Sequence, residues 1–284
     1  SGAITMNGSA FIDASGTGFR GGSTAGDNQT TGTGGNVAIF ASTAATAGAE
    51  KGESIAGYQG EYTTGRYGRG APANGGGGGN AHNAGGGGGA NGNNALTWTG
   101  QGVMTGTFTG TDPWSFDQAF VGGRSNSAGG GRGGYTYGQA NADAQVNGPG
   151  DSPTNGAANT TAWGGDGRRN VGGWGGRPLA SGPQGNSVRY FLGGGGGAGD
   201  GNDNAASGGA RGGGIVLIEA ASITGAGANS IRANGGSAGP TTAAFNDAPG
   251  GGGGGGSIVI VSPAITAVSL NADGGNGGNQ PRPT

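Results

Sequence analysis

Short apolar runs separated by glycine recur along this chain at a regular interval. One unit has a glycine block followed by apolar runs at 216–219, 222–224 and 230–233. The alternation of apolar and polar residues in these runs is typical of β-strands. A second unit repeats the pattern 42 residues later, matching Val216 with Ile258, Ile218 with Ile260, and Ile223 with Ile265. Self-similarity at a period near 40 residues predicts a repeat architecture.

The first residues of the chain carry the same pattern. Ile4 and Ile12 precede Ile223 and Ile231 by one common spacing, which predicts strands around both positions. The chain thus begins and ends halfway through a unit, so we expect it to be a piece of a longer repetitive polypeptide. The alternative is a natural capped end, because 280–284 has the composition of a terminating tail.

We expect one glycine-rich repeat domain over 1–284. Repeat-like strands are predicted for 1–49, including one at 37–42, and two repeat units for 193–284. Residues 50–192 form a glycine- and aromatic-rich excursion that contains every tryptophan and tyrosine. Short alternating pieces within it predict further strands at 96–99 and 103–109.

Glycine dominates the composition, with 80 of 284 residues. No strict Gly-X-Y period is present and proline numbers only 11, which excludes a collagen triple helix. Each glycine costs about 1 kcal/mol against alanine inside an α-helix. Glycine can instead adopt the polyproline II helix, with three residues per turn. The prediction is an all-β, β-solenoid-like repeat combined with packed polyglycine II helices and almost no α-helix.

Charge and cysteine content exclude several function classes. Lys and Arg number 13 against 15 Asp and Glu, which removes the electrostatic basis for binding nucleic acid or anionic membranes. No cysteine is present, so disulfide and thiol chemistry are excluded. The apolar run at 215–218 is far too short for membrane insertion.

Several motifs resemble segments of very large glycine-rich bacterial surface proteins. They are Phe11 to Gly22, Gly68 to Asn74 with the glycine blocks that follow, Ile231 to Gly236, and Leu270 to Gly275. The chain is similar in these motifs to the adhesin-like proteins that Bacteroidota export by the type 9 route for gliding, and to myxobacterial surface proteins. The resemblance covers most of the chain outside about 95–190. It implies an extracellular or cell-surface location and no catalytic residues.

Glycine blocks flanked by aromatics also resemble the polyglycine-sandwich tip adhesins of phage tail fibres. Those adhesins contact host receptors through exposed loops, which implies receptor or glycan binding. They have glycine blocks without the β-strand unit seen here, and this difference counts against the second resemblance.

Calcium is the one cofactor for which the sequence offers a candidate. The stretch 198–204, with Asp200 and Asp203, is close to the Gly-Gly-x-Gly-x-Asp repeat of calcium-binding β-rolls. Stacked calcium sites share ligands between adjacent copies, and no second copy follows. The alternative is a turn in which Asp and Asn side chains cap the backbone.

Catalytic groups are sparse, and we expect no enzyme. His82 is the only histidine and lies between two glycine blocks, where its ring can bond backbone groups. Glycosidases use paired carboxylates, for which the candidates are Asp112 with Asp117 and Glu50 with Glu53. No sequence feature brings either pair together, and surface turns are the usual explanation.

The best binding hypothesis rests on aromatic and arginine residues of the excursion. Flat rings stack on sugars, and arginine offers forked donors to hydroxyls or carboxylates. The alternative is that these rings cover the edges of the glycine layer and supply its large apolar surface. The candidates are Trp163, Trp174, Tyr135, Tyr137 and Arg168, with Arg169 beside it.

The sequence therefore favours a structural or adhesive extracellular module, such as a stalk, fibre or adhesin. Its expected partners are other copies or domains of the same protein, the secretion or cell-surface machinery, and glycans. The alternative is a tip adhesin of the phage type. Ice binding by a flat glycine face is a third hypothesis, against which the threonines show no regular array.

Overall fold

The structure of the chain is a computed structural model in full atomic detail. It describes residues 2–24, 39–57, 62–80, 84–93, 95–100, 127–134, 172–179, 182–184, 187–201, 204–243 and 247–280.

Eight β-strands and two 3-10 turns form the regular elements of the described residues, and no α-helix occurs among them. The all-β class predicted from the sequence is confirmed. The turns are Ala45–Ala47 and Thr63–Gly65. The strands are β1 (Ala3–Thr5), β2 (Phe11–Asp13), β3 (Gly182–Gln184), β4 (Ser187–Arg189), β5 (Ile215–Glu219), β6 (Ser222–Arg232), β7 (Ser257–Val261) and β8 (Ile265–Asn271).

Strand β6 is the centre of a parallel sheet. It pairs with β1 and β2 on one side, placing Ile4 opposite Ile223 and Ile12 opposite Ile231. It pairs with β8 as well, where Ile265 lies opposite Ile223. The spacings between matching isoleucines in the sequence are therefore also the spacings of strand pairing.

A second parallel pair joins β5 to β7. Val216 lies opposite Ile258 and Ile218 opposite Ile260, again with the 42-residue spacing of the sequence repeat. In contrast, β3 and β4 form a separate antiparallel pair. The chain thus runs through this stack of repeat strands three times. We call these runs the first pass (3–13), the middle pass (215–232) and the last pass (257–271).

The apolar core lies between these stacked strands. Ile223 and Ile231, in the central strand β6, are 1% and 0% exposed. Val216, Met6, Ala220 and further aliphatic side chains pack around them. Alternation along each strand brings the same positions of successive passes to one face, so Ile4 and Ile12 of the first pass pack against Ile223 and Ile231 in one core.

The register of β6 shifts between Thr224 and Asn229, and the buried Asn229 side chain stabilises this irregularity. Its Oδ1 accepts a hydrogen bond from Ala226 N at 2.6 Å. Its Nδ2 donates to the carbonyls of Gly8 and Ala10 at 3.2 and 2.9 Å. One polar side chain therefore joins the first pass of the chain to the middle pass.

Glycine-rich segments form a second hydrogen-bonded layer, and the segment 193–200 is its centre. Its N–H groups donate to three neighbouring segments and its C=O groups accept from three others. Each neighbour is contacted again three residues later. The six neighbouring segments are 48–54, 84–91 and 205–214, which accept, and 17–22, 74–80 and 247–256, which donate.

This close packing leaves no room for side chains. A Cβ atom built on Gly195 would lie 1.8 Å from Arg20 O, and one on Gly197 would lie 2.0 Å from Gly77 O. Real Cβ atoms do not approach backbone oxygen so closely. The glycine blocks are therefore required because backbones pack directly against one another.

Two predicted strands do not form where the structure describes them. Residues 96–99 are irregular, and Trp98 packs on a tryptophan of the glycine layer instead of joining a sheet. Of the strand predicted at 37–42, residues 39–42 are described, and they contribute only an isolated antiparallel bridge from Ser42 to Tyr67. The strand predicted at 103–109 lies outside the described residues.

Candidate functional site

Trp174 belongs to the glycine-rich segment 172–176, and the backbone of that segment fixes its position. Its N–H donates to Arg69 O at 2.8 Å, and its carbonyl accepts from Gly77 N at 2.8 Å. The glycines on both sides of it are buried, whereas Trp174 itself is half-buried. The ring therefore lies at the margin of the glycine layer.

Two aromatic rings meet Trp174 edge to face. Its ring centroid lies 5.0 Å from that of Phe40, at an interplanar angle of 68°, and 5.9 Å from that of Trp98, at 72°. Such edge contacts contribute about 0.5–1.5 kcal/mol beyond the area they bury. We call Phe40, Trp98 and Trp174 the aromatic cluster.

Hydrogen bonds from Trp98 and from the residue after it hold the Trp98 ring in place. Its indole Nε1 donates to Gly175 O at 3.0 Å, and the next residue, Thr99, donates its N–H to Ser127 Oγ at 3.0 Å. Gly100 has a φ of +75°, and a Cβ there would lie 3.0 Å from the Trp174 ring. This turn therefore requires glycine for both its conformation and its packing.

Two arginines lie over the aromatic cluster. The guanidinium carbon of the buried Arg69 is 5.6 Å from the Trp174 ring centroid and 5.3 Å from that of Phe40. Burial lowers the pKa of Arg69 to about 10. The exposed Arg177 lies 5.8 Å from the Trp98 ring. Both contacts have the geometry of cation–π pairs.

The side chains of the aromatic cluster are suited to binding a ligand. Phe40 and Trp98 are partly exposed to solvent, so their rings can contact the flat apolar face of a ligand. Arg177 adds forked donors at the rim. The Trp174 Nε1 donor is buried and has no hydrogen-bond acceptor among the described residues.

Of the binding residues predicted from the sequence, Trp174 is the one that the structure describes. Trp163, Tyr135, Tyr137 and Arg168 lie outside the described residues, as does Arg169. Sequence reasoning missed the partners Phe40, Trp98, Arg69 and Arg177. They are far apart in the chain, and no repeat spacing relates them. The one available signal was that Trp98, like the other tryptophans, lies in the glycine- and aromatic-rich excursion.

The calcium candidate Asp200 lies at the end of the central segment and is fully buried. Burial raises the pKa of its carboxyl well above the usual value, and the nearby Asp247 carboxylate raises it further. The predicted second ligand, Asp203, lies outside the described residues. Asp247 has no spacing relation to Asp200, and the sequence offered no signal for it. No group of three or more His, Cys, Asp or Glu suited to a metal occurs in the described part of the chain.

The carboxylates considered for glycosidase chemistry bind arginines. Glu50 Oε1 accepts from Arg66 Nε at 2.9 Å, and Glu53 Oε2 accepts from Arg20 Nε at 3.1 Å. Glu50 is buried and Oε2 also accepts from Ser23 N at 3.2 Å. Both groups therefore hold segments together. Asp112, Asp117 and His82 lie outside the described residues.

Comparisons with family models, with curated proteins and with solved structures gave no match to this chain. In the described ranges, no helix has the length and apolar character needed to cross a membrane.

Proposed function

We propose that this chain is a non-enzymatic extracellular module of a large secreted bacterial surface protein, and that it builds a stalk, fibre or adhesive surface by stacking repeat units. One observation carries the proposal: β5 with β7, and the first part of β6 with β8, pair in parallel with the same 42-residue spacing. Parallel pairing of a strand with its own repeat supports a β-solenoid-like stack, because each unit of such a stack contacts its neighbours.

The glycine segments that flank these strands support the same interpretation. Residues 207, 210 and 213 donate to 248, 251 and 254, and residues 235, 238 and 241 donate to 273, 276 and 279. Each series is parallel and advances by three residues. Whole units therefore stack on each other, from the glycine block before the strands to the glycine block after them.

The three-residue period also supports polyglycine II helices. A polyproline II helix has three residues per turn and no internal hydrogen bonds, so its N–H and C=O groups must find partners in neighbouring chains. The segment 193–200 has six such neighbours. In this arrangement the backbone N–H and C=O groups of the glycine layer form hydrogen bonds between segments, without α-helices or β-sheets.

The last pass, β7 and β8, offers an edge for another unit. Within the described residues, β7 pairs with β5 and β8 pairs with β6, each on one side. A parallel edge with unpaired backbone groups is a template for further strands. Other copies or domains of the same protein are the partners that fit it. The resemblance of the sequence motifs to exported bacterial surface proteins supports the cell-surface location and the secretion machinery as a further partner.

Electron microscopy of the full chain over a concentration series tests the stacking. Wild-type protein should form fibres of regular width. The double variant Ile265→Lys, Leu270→Lys should remain as discrete particles, because lysines on an edge strand oppose pairing. Ile55→Lys is the matched control, since Ile55 is similarly exposed but lies outside the repeat strands, and it should still form fibres. Discrete wild-type particles at every concentration would reject stacking between copies.

The aromatic cluster favours a second candidate function, a glycan- or receptor-binding adhesin of the phage tip type. Screening the wild-type chain on a glycan array tests this candidate. Trp98→Ala should remove binding, whereas Phe11→Ala, which removes an exposed aromatic ring from β2, should retain it. Equal binding by both variants would exclude the aromatic cluster as the binding surface.

A further inference from the structure

Two buried carboxylates lie together where the central glycine segment ends. Asp200 and Asp247 are each 0% exposed. The backbone fixes Asp200 between two other segments, because its N–H donates to Ala84 O at 2.9 Å and its carbonyl accepts from Ala248 N at 3.0 Å. The position of Asp200 is therefore set by the glycine layer.

The Asp200 side chain has an unusual environment. Both carboxylate oxygens are shielded from solvent, and neither accepts a hydrogen bond in the described part of the chain. A carboxylate taken out of water without donors or a counter-charge is strongly destabilising. The nearby Asp247 carboxyl is acidic as well, so it supplies no counter-charge to Asp200.

Asp247 has the opposite character, because backbone groups hold its carboxylate in place. Its Oδ2 accepts from Ala205 N at 2.6 Å and from Ala206 N at 3.0 Å. A Cβ built on Gly201 would lie 2.6 Å from the same oxygen. The Asp247 carboxylate is therefore packed against the residue that follows Asp200, with two donors fixing its orientation.

We propose that Asp200 and Asp247 bind a divalent cation of the calcium type between their carboxylates. Calcium prefers oxygen ligands and accepts carboxylates together with backbone and amide carbonyls, and the carboxylates of Asp200 and Asp247 supply acidic oxygens. A double positive charge balances two acidic groups that otherwise repel each other. It also supplies the partner that the Asp200 oxygens lack.

The site differs from the β-roll motif suggested by the sequence. That motif placed Asp200 with Asp203, three residues away, whereas Asp247 comes from a different glycine segment, 247–256, that packs beside the central one. A cation held by both would join the end of the central segment to this neighbour. With two acidic ligands, we expect a dissociation constant of about 10⁻⁴–10⁻³ M, the range of extracellular calcium modules.

Thermal unfolding of the full chain in millimolar calcium and in chelator tests the site. Calcium should raise the wild-type Tm by a few degrees, because a ligand that binds only the folded state stabilises it. Asp200→Asn should abolish this rise while folding normally in chelator, since the amide is similar in shape and removes the repulsion. Asp273→Asn, in which an exposed carboxylate is neutralised, should keep the full calcium response.

Calcium titration by calorimetry provides the second measurement. Asp200→Asn and Asp247→Asn should each weaken calcium binding at least tenfold, and magnesium should bind more weakly than calcium because it demands stricter octahedral geometry. The proposal is overturned if calcium leaves the wild-type Tm unchanged, or if Asp200→Asn keeps the wild-type response. If calcium leaves the wild-type Tm unchanged and Asp200→Asn is more stable than the wild type, Asp200 is a buried carboxyl that binds no cation.

Discussion

Ile223 lies in register opposite Ile265 in the parallel sheet, with Ile4 in register on its other side. One column of isoleucine side chains therefore crosses three passes of the chain. Ile12, Ile231 and Leu270 form a second column in the same way. The middle residue of each column is fully buried, so the middle pass carries the core of the stack.

Truncation in the middle pass should destabilise the whole domain. Ile231→Ala removes a side chain that is 0% exposed, and the cavity and lost burial should lower the free energy of unfolding by about 2–5 kcal/mol. Leu217→Ala, at a position that is 68% exposed, should change it by no more than about 0.5 kcal/mol. Denaturant unfolding followed by circular dichroism measures both. Similar values for the two variants would contradict this account of the core.

Alanine in the central glycine segment should be at least as damaging as truncation of the core. In Gly195→Ala the new Cβ would meet Arg20 O at 1.8 Å, so two backbones must separate and several hydrogen bonds must lengthen. We expect a loss of at least about 3 kcal/mol, in the upper tail of single substitutions. Thermal melting monitored by circular dichroism provides the measurement.

Gly239 is the matched control for that substitution. A Cβ there meets nothing within 4 Å and its φ is not in the left-handed region. Gly239→Ala should therefore keep or raise the stability, by up to about 1 kcal/mol, because alanine reduces the entropy of the unfolded chain. If Gly195→Ala melted like Gly239→Ala, direct backbone packing would not be the reason for the glycine blocks.

The repeat strands could be predicted because the same apolar positions recur in the sequence. A strand such as β5 pairs with its own repeat, so the spacing of Val216 and Ile258 is also their register. No such rule applies outside the repeat. Alternation at 96–99 suggested a strand, but Trp98 packs on Trp174 and donates to Gly175 O. Four residues that alternate between apolar and polar do not distinguish a β-strand from an irregular segment that packs one aromatic ring.

The contacts between polar side chains could not be predicted from the sequence for a related reason. Asp200 was found from a local motif, whereas Asp247 reaches it only because two glycine segments pack side by side. Glu50 and Arg66 likewise form an ion pair although no sequence feature relates the two positions. Glycine blocks predict dense packing, but they carry no side chains that specify which block lies beside which. The order of the segments therefore had to come from the structure.

Trp98 and Trp174 should be energetically coupled. Their rings meet edge to face, with centroids 5.9 Å apart, so a double-mutant cycle with alanine at each position should give a coupling of about 0.5–1.5 kcal/mol. Unfolding free energies of the two single variants and the double variant provide the test. Phe11→Ala in place of Trp174→Ala serves as the uncoupled control. Additive effects of the two tryptophan variants would mean that the rings act independently.

Lys51 should make the stability of the chain rise in mildly alkaline solution. It is the only lysine and is 3% exposed, and burial lowers its pKa from 10.5 to about 8. Below pH 8 the residue is charged in both states, so the folded state bears the full cost of burying the charge. Between pH 8 and 10.5 Lys51 is protonated in the unfolded chain and neutral in the folded chain. The free energy of unfolding therefore rises with pH. The full gain is on the order of 3 kcal/mol.

Lys51→Met should remove this rise and increase the stability at pH 7, because an apolar side chain of similar length replaces a buried charge. Arg211→Met, which removes an exposed cation, should retain the rise. Unfolding free energies between pH 7.5 and 9.5 measure the slope, and NMR of the single dimethylated lysine measures its pKa directly. A resonance that titrates near pH 10.5, with a flat stability profile, would show that the Lys51 ammonium group remains solvated.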